Sequence, residues 1–135
     1  MNEVIPMNKT ERAEKAVEYK HRGLNCAQAV TAACGDLVDM SDEKLMEITS
    51  GFAAGMGCME ATCGALNGAV MIGGLMKNGK GTVSSAKDML RSFEEKSGAT
   101  ICKDLKGRDT GKVICECDDC VRNAVYAMSE VMNIE

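Results

Sequence analysis

Eight cysteines, Cys26, Cys34, Cys58, Cys63, Cys102, Cys115, Cys117 and Cys120, make sulfur the dominant chemistry of this 135-residue chain. A thiolate serves as a nucleophile or as a metal ligand, and both uses need its pKa lowered. Cys26, Cys63, Cys102 and Cys120 share one predicted position, the first turn of a helix. Free backbone N–H groups and aligned peptide dipoles favour an anion there. Four such placements among six helix starts point to a common purpose, either metal ligation or thiol redox chemistry. With a single histidine, His21, expected at an exposed helix end, no Ser/His/Asp set can be assembled.

The elements that must position these sulfurs read as helices nearly throughout. The periodicity predicts a first helix from Lys9 to Arg22, stopped by Gly23, and a second from Asn25 to Val38. Cys26, Val30, Ala33 and Leu37 fall within about 40° of one another on that second helix at 100° per residue. Ser41 caps a third helix, Asp42 to Phe52, whose opening acids suit its dipole. A Gly-rich joint, Gly51 to Cys58, leads to a fourth helix from Cys63 to Lys77, with Thr62 as its cap. Apolar nearly all round, this helix must be central and buried. Gly64 and Gly68 give it a strip without side chains, against which another backbone can lie. Val83, Ala86, Met89, Leu90 and Phe93 mark an amphipathic fifth helix ending before Gly98. Thr100 caps a short turn carrying Cys102, and a last helix runs from Asp118 to Asn133. The expected fold is an all-α, single-domain bundle of five or six helices around a central Gly/Ala-rich helix, with residues 1–8 as a loose extension.

Composition narrows the function. Sixteen basic against 20 acidic residues give a net charge of −4, with no Trp, two Tyr and two Phe. Nucleic-acid phosphates need a basic face and bases need aromatic platforms, so no nucleic-acid partner is expected. The most apolar stretch, Ala61 to Met76, is too short to span a membrane and includes Thr62 and Asn67. No amino-terminal run has the order of a signal peptide, so the expected location is cytoplasmic. In that reducing compartment cysteines serve metal binding or redox chemistry more than structural disulfides. Eleven Met and few aromatics describe a soft core that tolerates close helix approach.

Asn25-Cys26-Ala27-Gln28-Ala29-Val30, the Gly-rich Gly51 to Gly57 and Thr62-Cys63-Gly64-Ala65-Leu66-Asn67-Gly68 follow one another in an informative order. Together they resemble the C-G-A-x-x-G family of small redox-active proteins marked by four recurrent cysteines. Cys102 and Cys120 match the third and fourth, and the resemblance spans Gly23 to Val125. It implies a redox role. The chain is also similar, more distantly, to part of the split-Soret cytochromes, which carry haem and an iron–sulfur centre and are dimeric. That similarity admits a homodimer. Covalent c-type haem needs C-x-x-C-H, whereas Cys117-Asp118-Asp119-Cys120 is followed by Val121, so haem c is not expected.

Two chemistries remain for Cys26, Cys63, Cys102 and Cys120. They converge on an iron–sulfur cluster, of the [2Fe–2S] type, in an electron carrier or redox sensor. Alternatively they need no metal and act as a thiol–disulfide oxidoreductase, pairing Cys63 with Cys26 or Cys120. A third reading is an interaction module with structural zinc held by Cys115, Cys117, Cys120 and one distant cysteine. The electron partner, and any catalysed reaction, are not encoded in a readable motif. Cys58 is an extra ligand or a resolving thiol, and Cys34 a small buried hydrophobe. Gly64 and Gly68 shape the pocket. Asn67, polar on an apolar helix, must find a partner on a neighbouring helix or at the redox centre. Gly55 and Gly57 offer a weaker phosphate cradle without a G-x-x-x-x-G-K-[ST] signature.

Overall fold

The computed structural model describes residues 7–135. The extension expected over residues 1–8 lies outside the described residues as far as residue 6, and Asn8 already caps the first helix by accepting from the Glu11 N–H at 2.8 Å. The α-helices are α1 (Lys9–His21), α2 (Cys26–Ala33), α3 (Asp42–Thr49), α4 (Gly64–Met76), α5 (Thr82–Ser97), α6 (Cys102–Lys106) and α7 (Cys117–Val131). Among the described residues the fold is all-α. The one strand-like feature among them is an isolated antiparallel bridge between Thr62 and Ile101. No helix among them is long and apolar enough to cross a membrane.

α4 is the axis of the bundle, packed by α2, α5 and α7, while α1 closes the far side against α2 and α7. Its Ala65, Leu66, Ala69 and Ile72 are buried, together with Val30 of α2, Phe93 of α5 and Val125 of α7. The glycine strip works as a contact surface. A Cβ at Gly68 would sit 2.9 Å from the Ala27 carbonyl oxygen, and one at Gly64 would sit 2.6 Å from that of Phe52. Real Cβ atoms do not approach so closely, so only glycine lets α2 and the following joint rest on α4.

Several ends differ from the periodicity, each for a local reason. α2 stops at Ala33 rather than Val38, and Gly35–Leu37 form a short 3₁₀ turn. The buried Arg12 guanidinium takes the Ala33 carbonyl at 2.8 Å and forks onto Asp36 at 2.5 and 3.1 Å, which ends the helix there. α3 stops at Thr49, whose hydroxyl bonds back to the Leu45 carbonyl at 2.5 Å. Ser41 caps α3 as expected, accepting from the Lys44 N–H. Thr62 does not cap α4; the cap position belongs to Cys63. Ile101, not Thr100, precedes α6, and α7 opens on Cys117, one residue earlier than expected.

The Gly-rich joint is an irregular wide turn over Gly55–Met59. Ala54, Gly55, Met56, Gly57 and Met59 all have positive φ between 53° and 80°. Such left-handed runs are costly for residues with a Cβ. The turn is tied down from outside by Arg108, which donates to the Cys58 carbonyl at 3.0 Å and pairs with Glu60 at 3.3 Å.

Candidate functional site

Four helix starts meet at one cavity. Cys26 is the first residue of α2, Cys102 the first of α6 and Cys117 the first of α7, and Cys63 caps α4. These four cysteines line a cavity of about 300 Å³. Lys20, Ala53, Ala54, Met59, Gly64 and Lys106 complete its wall. The residues come from six elements, α1, α2, the joint, α4, α6 and α7, scattered from position 20 to position 117.

Local bonds place three of the four cysteines. Asn25 and Gln28 form a reciprocal capping box, at 2.9 and 3.1 Å, that sets the first turn of α2 and with it Cys26. The Cys26 sulfur rests on Gly64, 2.9 Å from where a Cβ would stand. The small bridge around Thr62 holds the next two. Cys63 donates its N–H to the Thr100 carbonyl at 2.8 Å, and Cys102 donates its N–H to the Ala61 carbonyl at 3.0 Å. Gly55 is used for packing, since a Cβ there would lie 2.7 Å from that of Cys102.

Helix starts do not lower every thiol equally. The Cys63 thiol is drawn down to about 6 by a hydrogen bond with Cys120, the Leu66 and Ala65 N–H groups and the Lys106 charge, against its burial. At Cys26 burial prevails, aided by the Cys63 charge, and pushes the thiol up despite N–H groups of Ala54 and Ala27. Cys102 is likewise pushed up by burial and by Cys63. The expectation that all four positions favour thiolate therefore holds only where the α4 N–H groups and a thiol donor act together, at Cys63. Position at a helix start is not enough when desolvation opposes it.

Cys120 lies in the first turn of α7, where the sequence places it, but it is 1% exposed and outside the cavity lining. Its thiol is in hydrogen-bond contact with Cys63, which together with burial holds its pKa high. Lys106 donates to the Cys120 sulfur at 3.3 Å and to the Cys115 carbonyl at 3.1 Å. Burial works against the Lys106 ammonium, yet the sulfurs of Cys120 and Cys117 keep its pKa above the usual lysine range. Cys115 is buried and faces a second cleft on the other side of the α7 start. Cys115, Cys117 and Cys120 do not converge, and among the described residues no three His, Cys, Asp or Glu side chains group around a single metal-ion position.

The other candidates are dispersed. Cys58 is exposed in the wide turn, its thiol 3.6 Å from the Gly55 carbonyl. Cys34 is fully buried, with its thiol pushed up to about 12 by burial. Asn67 donates to the Thr62 carbonyl at 3.3 Å and lines a groove between α4 and α5, away from the cysteine cavity. Gly64 borders the cavity; Gly68 packs on α2 instead. His21 is exposed and lies 2.7 Å from an Asp118 oxygen.

Sequence reasoning missed the cavity's two cations. Lys106 follows Cys102 by four residues, so the i,i+4 relation on one helix was the available signal. Lys20 reaches the cavity only through the packing of α1 on α7, where it pairs with Asp118 at 3.1 Å. Cys117 opens α7 and lines the cavity, whereas the sequence favoured Cys120 as the fourth member.

A family model described as "Putative redox-active protein (C_GCAxxG_C_C)" matches residues 24–131. The chain belongs to this family. The matched span includes all eight cysteines and both segments of the Thr62–Ile101 bridge. In this chain the central motif reads Cys63-Gly64-Ala65-Leu66-Asn67-Gly68, and it places a thiol at the helix cap and glycines where α2 and the joint press on α4. No curated protein and no solved structure matches the chain. A redox-active, cysteine-rich all-α protein is thus the description that family and fold share.

Proposed function

We propose that the protein is an electron carrier or redox sensor whose cavity cysteines, Cys26, Cys63, Cys102 and Cys117, hold an iron–sulfur cluster. The observation that carries this reading is the convergence of four sulfurs from four helix starts on one cavity of about 300 Å³. A cluster with four thiolate ligands is an anion spread over several ångströms, and its ligands need not surround one point. The donor set, four cysteines lining one cavity, is the set that a four-thiolate cluster requires. Four helix N-termini and the ammonium groups of Lys20 and Lys106 offset the added negative charge. When bound, the cluster would supply a one-electron store. The chain's own part is to hold the ligands, to present the Cys120 thiol and Lys106 behind Cys63, and to keep water out with Ala53, Ala54 and Met59. Hydrogen bonds and burial of this kind set the potential of such centres.

The test is anaerobic reconstitution with ferrous iron and sulfide, followed by visible absorption and iron and sulfide analysis per chain. Serine replacement of Cys26, Cys63, Cys102 or Cys117 should each bleach the visible bands and lower iron content severalfold. Cys34→Ser should leave both intact. Cys117→Ser compared with Cys120→Ser identifies the fourth ligand: the former loses the cluster, and the latter keeps it with a changed potential. Protein that stays colourless and takes up no iron, or that binds one zinc without a redox response, overturns the proposal.

A further inference from the structure

Two buried thiols outside the cavity lining lie between it and a second cleft. Cys120 neighbours Cys63, and its sulfur lies 3.7 Å from the Cys115 carbonyl oxygen. Cys63 faces the cavity; Cys115 faces a separate cleft of about 290 Å³, and Cys120 lies between them under cover. Lys106 bridges Cys120 and Cys115, donating to the Cys120 sulfur and the Cys115 carbonyl. Asn123, anchored on Ser97 at 3.0 Å, approaches the Cys115 sulfur at 3.9 Å from the cleft side.

We propose that Cys63, Cys120 and Cys115 form a thiol relay that gives the iron-free chain a peroxide-reducing activity, with hydroperoxide entering the cavity and a small thiol reducing the outer cleft. The inference goes beyond the cluster reading and competes with it for Cys63. The cavity suits a small oxidant: it holds about 300 Å³, is mostly apolar, and has Lys20 and Lys106 in its wall. The Cys63 thiolate attacks the outer oxygen of ROOH, the O–O bond breaks, and one proton is taken up, giving Cys63 sulfenic acid and ROH. The Cys120 thiol then attacks the Cys63 sulfur, releasing water and leaving a Cys63–Cys120 disulfide. Attack by the Cys115 thiolate on the Cys120 sulfur returns Cys63 as thiolate and moves the disulfide to Cys115–Cys120. Lys106, already on the Cys120 sulfur, favours the charge that passes through it. Two external thiols then reduce the Cys115–Cys120 bond at the cleft and become RSSR. The sum is ROOH plus two RSH giving ROH, water and RSSR.

The cleft also indicates the class of thiol. Glu116, Asp119 and Lys96 line the cleft together with Cys115, a mixed-charge lining that fits a small zwitterionic thiol. The three thiols are distinct in access: only the two ends open to cavities, so oxidant and reductant do not meet.

The experiment uses the full-length chain, reduced and without added iron. One equivalent of hydrogen peroxide is followed by mass-spectrometric mapping of linked peptides, and turnover is measured with glutathione as reductant. Wild type should link Cys120 to Cys63 or to Cys115 and leave Cys34 free. Cys120→Ser should form neither link and should accumulate Cys63 sulfenic acid that dimedone traps. Cys115→Ser should show only the Cys63–Cys120 link and lose glutathione turnover at least tenfold, while Cys34→Ser turns over as wild type. A Cys63 link to Cys26 or Cys102 that persists in Cys120→Ser, or turnover unchanged in Cys115→Ser, overturns the relay. The wild-type peptide map decides the matter if a variant fails to fold. Iron uptake is scored separately, so failure of the relay and failure of the cluster reading are read from different measurements.

Discussion

Replacing Gly64 by alanine isolates the close approach on which the cavity depends. Gly64 is the first residue of α4 and has no left-handed φ, so alanine is conformationally acceptable there. Its new Cβ would lie 2.6 Å from the Phe52 carbonyl oxygen, 2.9 Å from the Cys26 sulfur and 3.0 Å from the Ala53 Cα. Two of these three are backbone atoms and cannot swing aside, so the α2 start and the joint must both retreat from α4. Overpacking of this kind costs about 1–3 kcal/mol, and backbone obstruction places it at the upper end. The better helix propensity of alanine returns about 1 kcal/mol at most. The net expectation is a loss of about 2 kcal/mol. Gly74 on the same helix supplies the opposite case, because a Cβ there meets only the Thr82 methyl at 3.4 Å. Gly74→Ala should gain about 0.5–1 kcal/mol from propensity and a less flexible unfolded chain. Urea unfolding of the reduced protein measures both, and the two variants should differ by about 2.5–3 kcal/mol. Cys26 in Gly64→Ala should also alkylate faster than in wild type, because its sulfur is displaced. A Gly64→Ala protein as stable as Gly74→Ala would refute the packing argument.

Thiol titration and the buried arginine give two further expectations. In the reduced, iron-free chain, Cys63 should react with iodoacetamide with a midpoint near pH 6, whereas Cys34 should resist until the pH nears 12. Because the folded Cys63 pKa lies below the unfolded value of about 8.5, its contribution to stability is full above that value. It is lost as pH falls through 6. The raised Cys34 pKa acts in reverse: its contribution is full below about 8.5 and is lost as pH rises toward 12. Urea midpoints should therefore climb from pH 6 to about 8.5 and decline above it; a climb that survives Cys63→Ser would contradict the assignment. Arg12→Leu should cost about 3 kcal/mol, since it uncaps the Ala33 carbonyl and removes the fork to Asp36 from a fully buried position. A change below about 0.5 kcal/mol, the usual size of a surface effect, would count against that role.

Much of the fold was legible because helical periodicity is a local signal. The apolar run of α4, the Ser41 cap and the Gly98 stop all lie within a few residues of what they control. The errors arose where a distant residue decides. Arg12 ends α2 from 21 positions away, and no pattern near Ala33 announces it. The bridge between Thr62 and Ile101 moves the cap of α4 to Cys63, since the Cys63 N–H is taken by Thr100. Lys20 enters the cavity only because α1 lies against α7.

The amino-acid order by itself determined an all-α chain, its central glycine-bearing helix and the seating of cysteines at helix starts, because capping, propensity and the 3.6-residue period act over one or two turns. Tertiary packing alone decided which sulfurs share a space. A shift of three residues along α7 separates Cys117, exposed at the cavity, from Cys120, buried behind it, and both lie in the same first turn. Packing also decided which thiol ionises, for the same helix-start field is opposed at Cys26 and Cys102 by desolvation and reinforced at Cys63 by a thiol from another helix. Solvent exclusion and contacts between distant segments are properties of the assembled bundle, and no local window of the chain contains them.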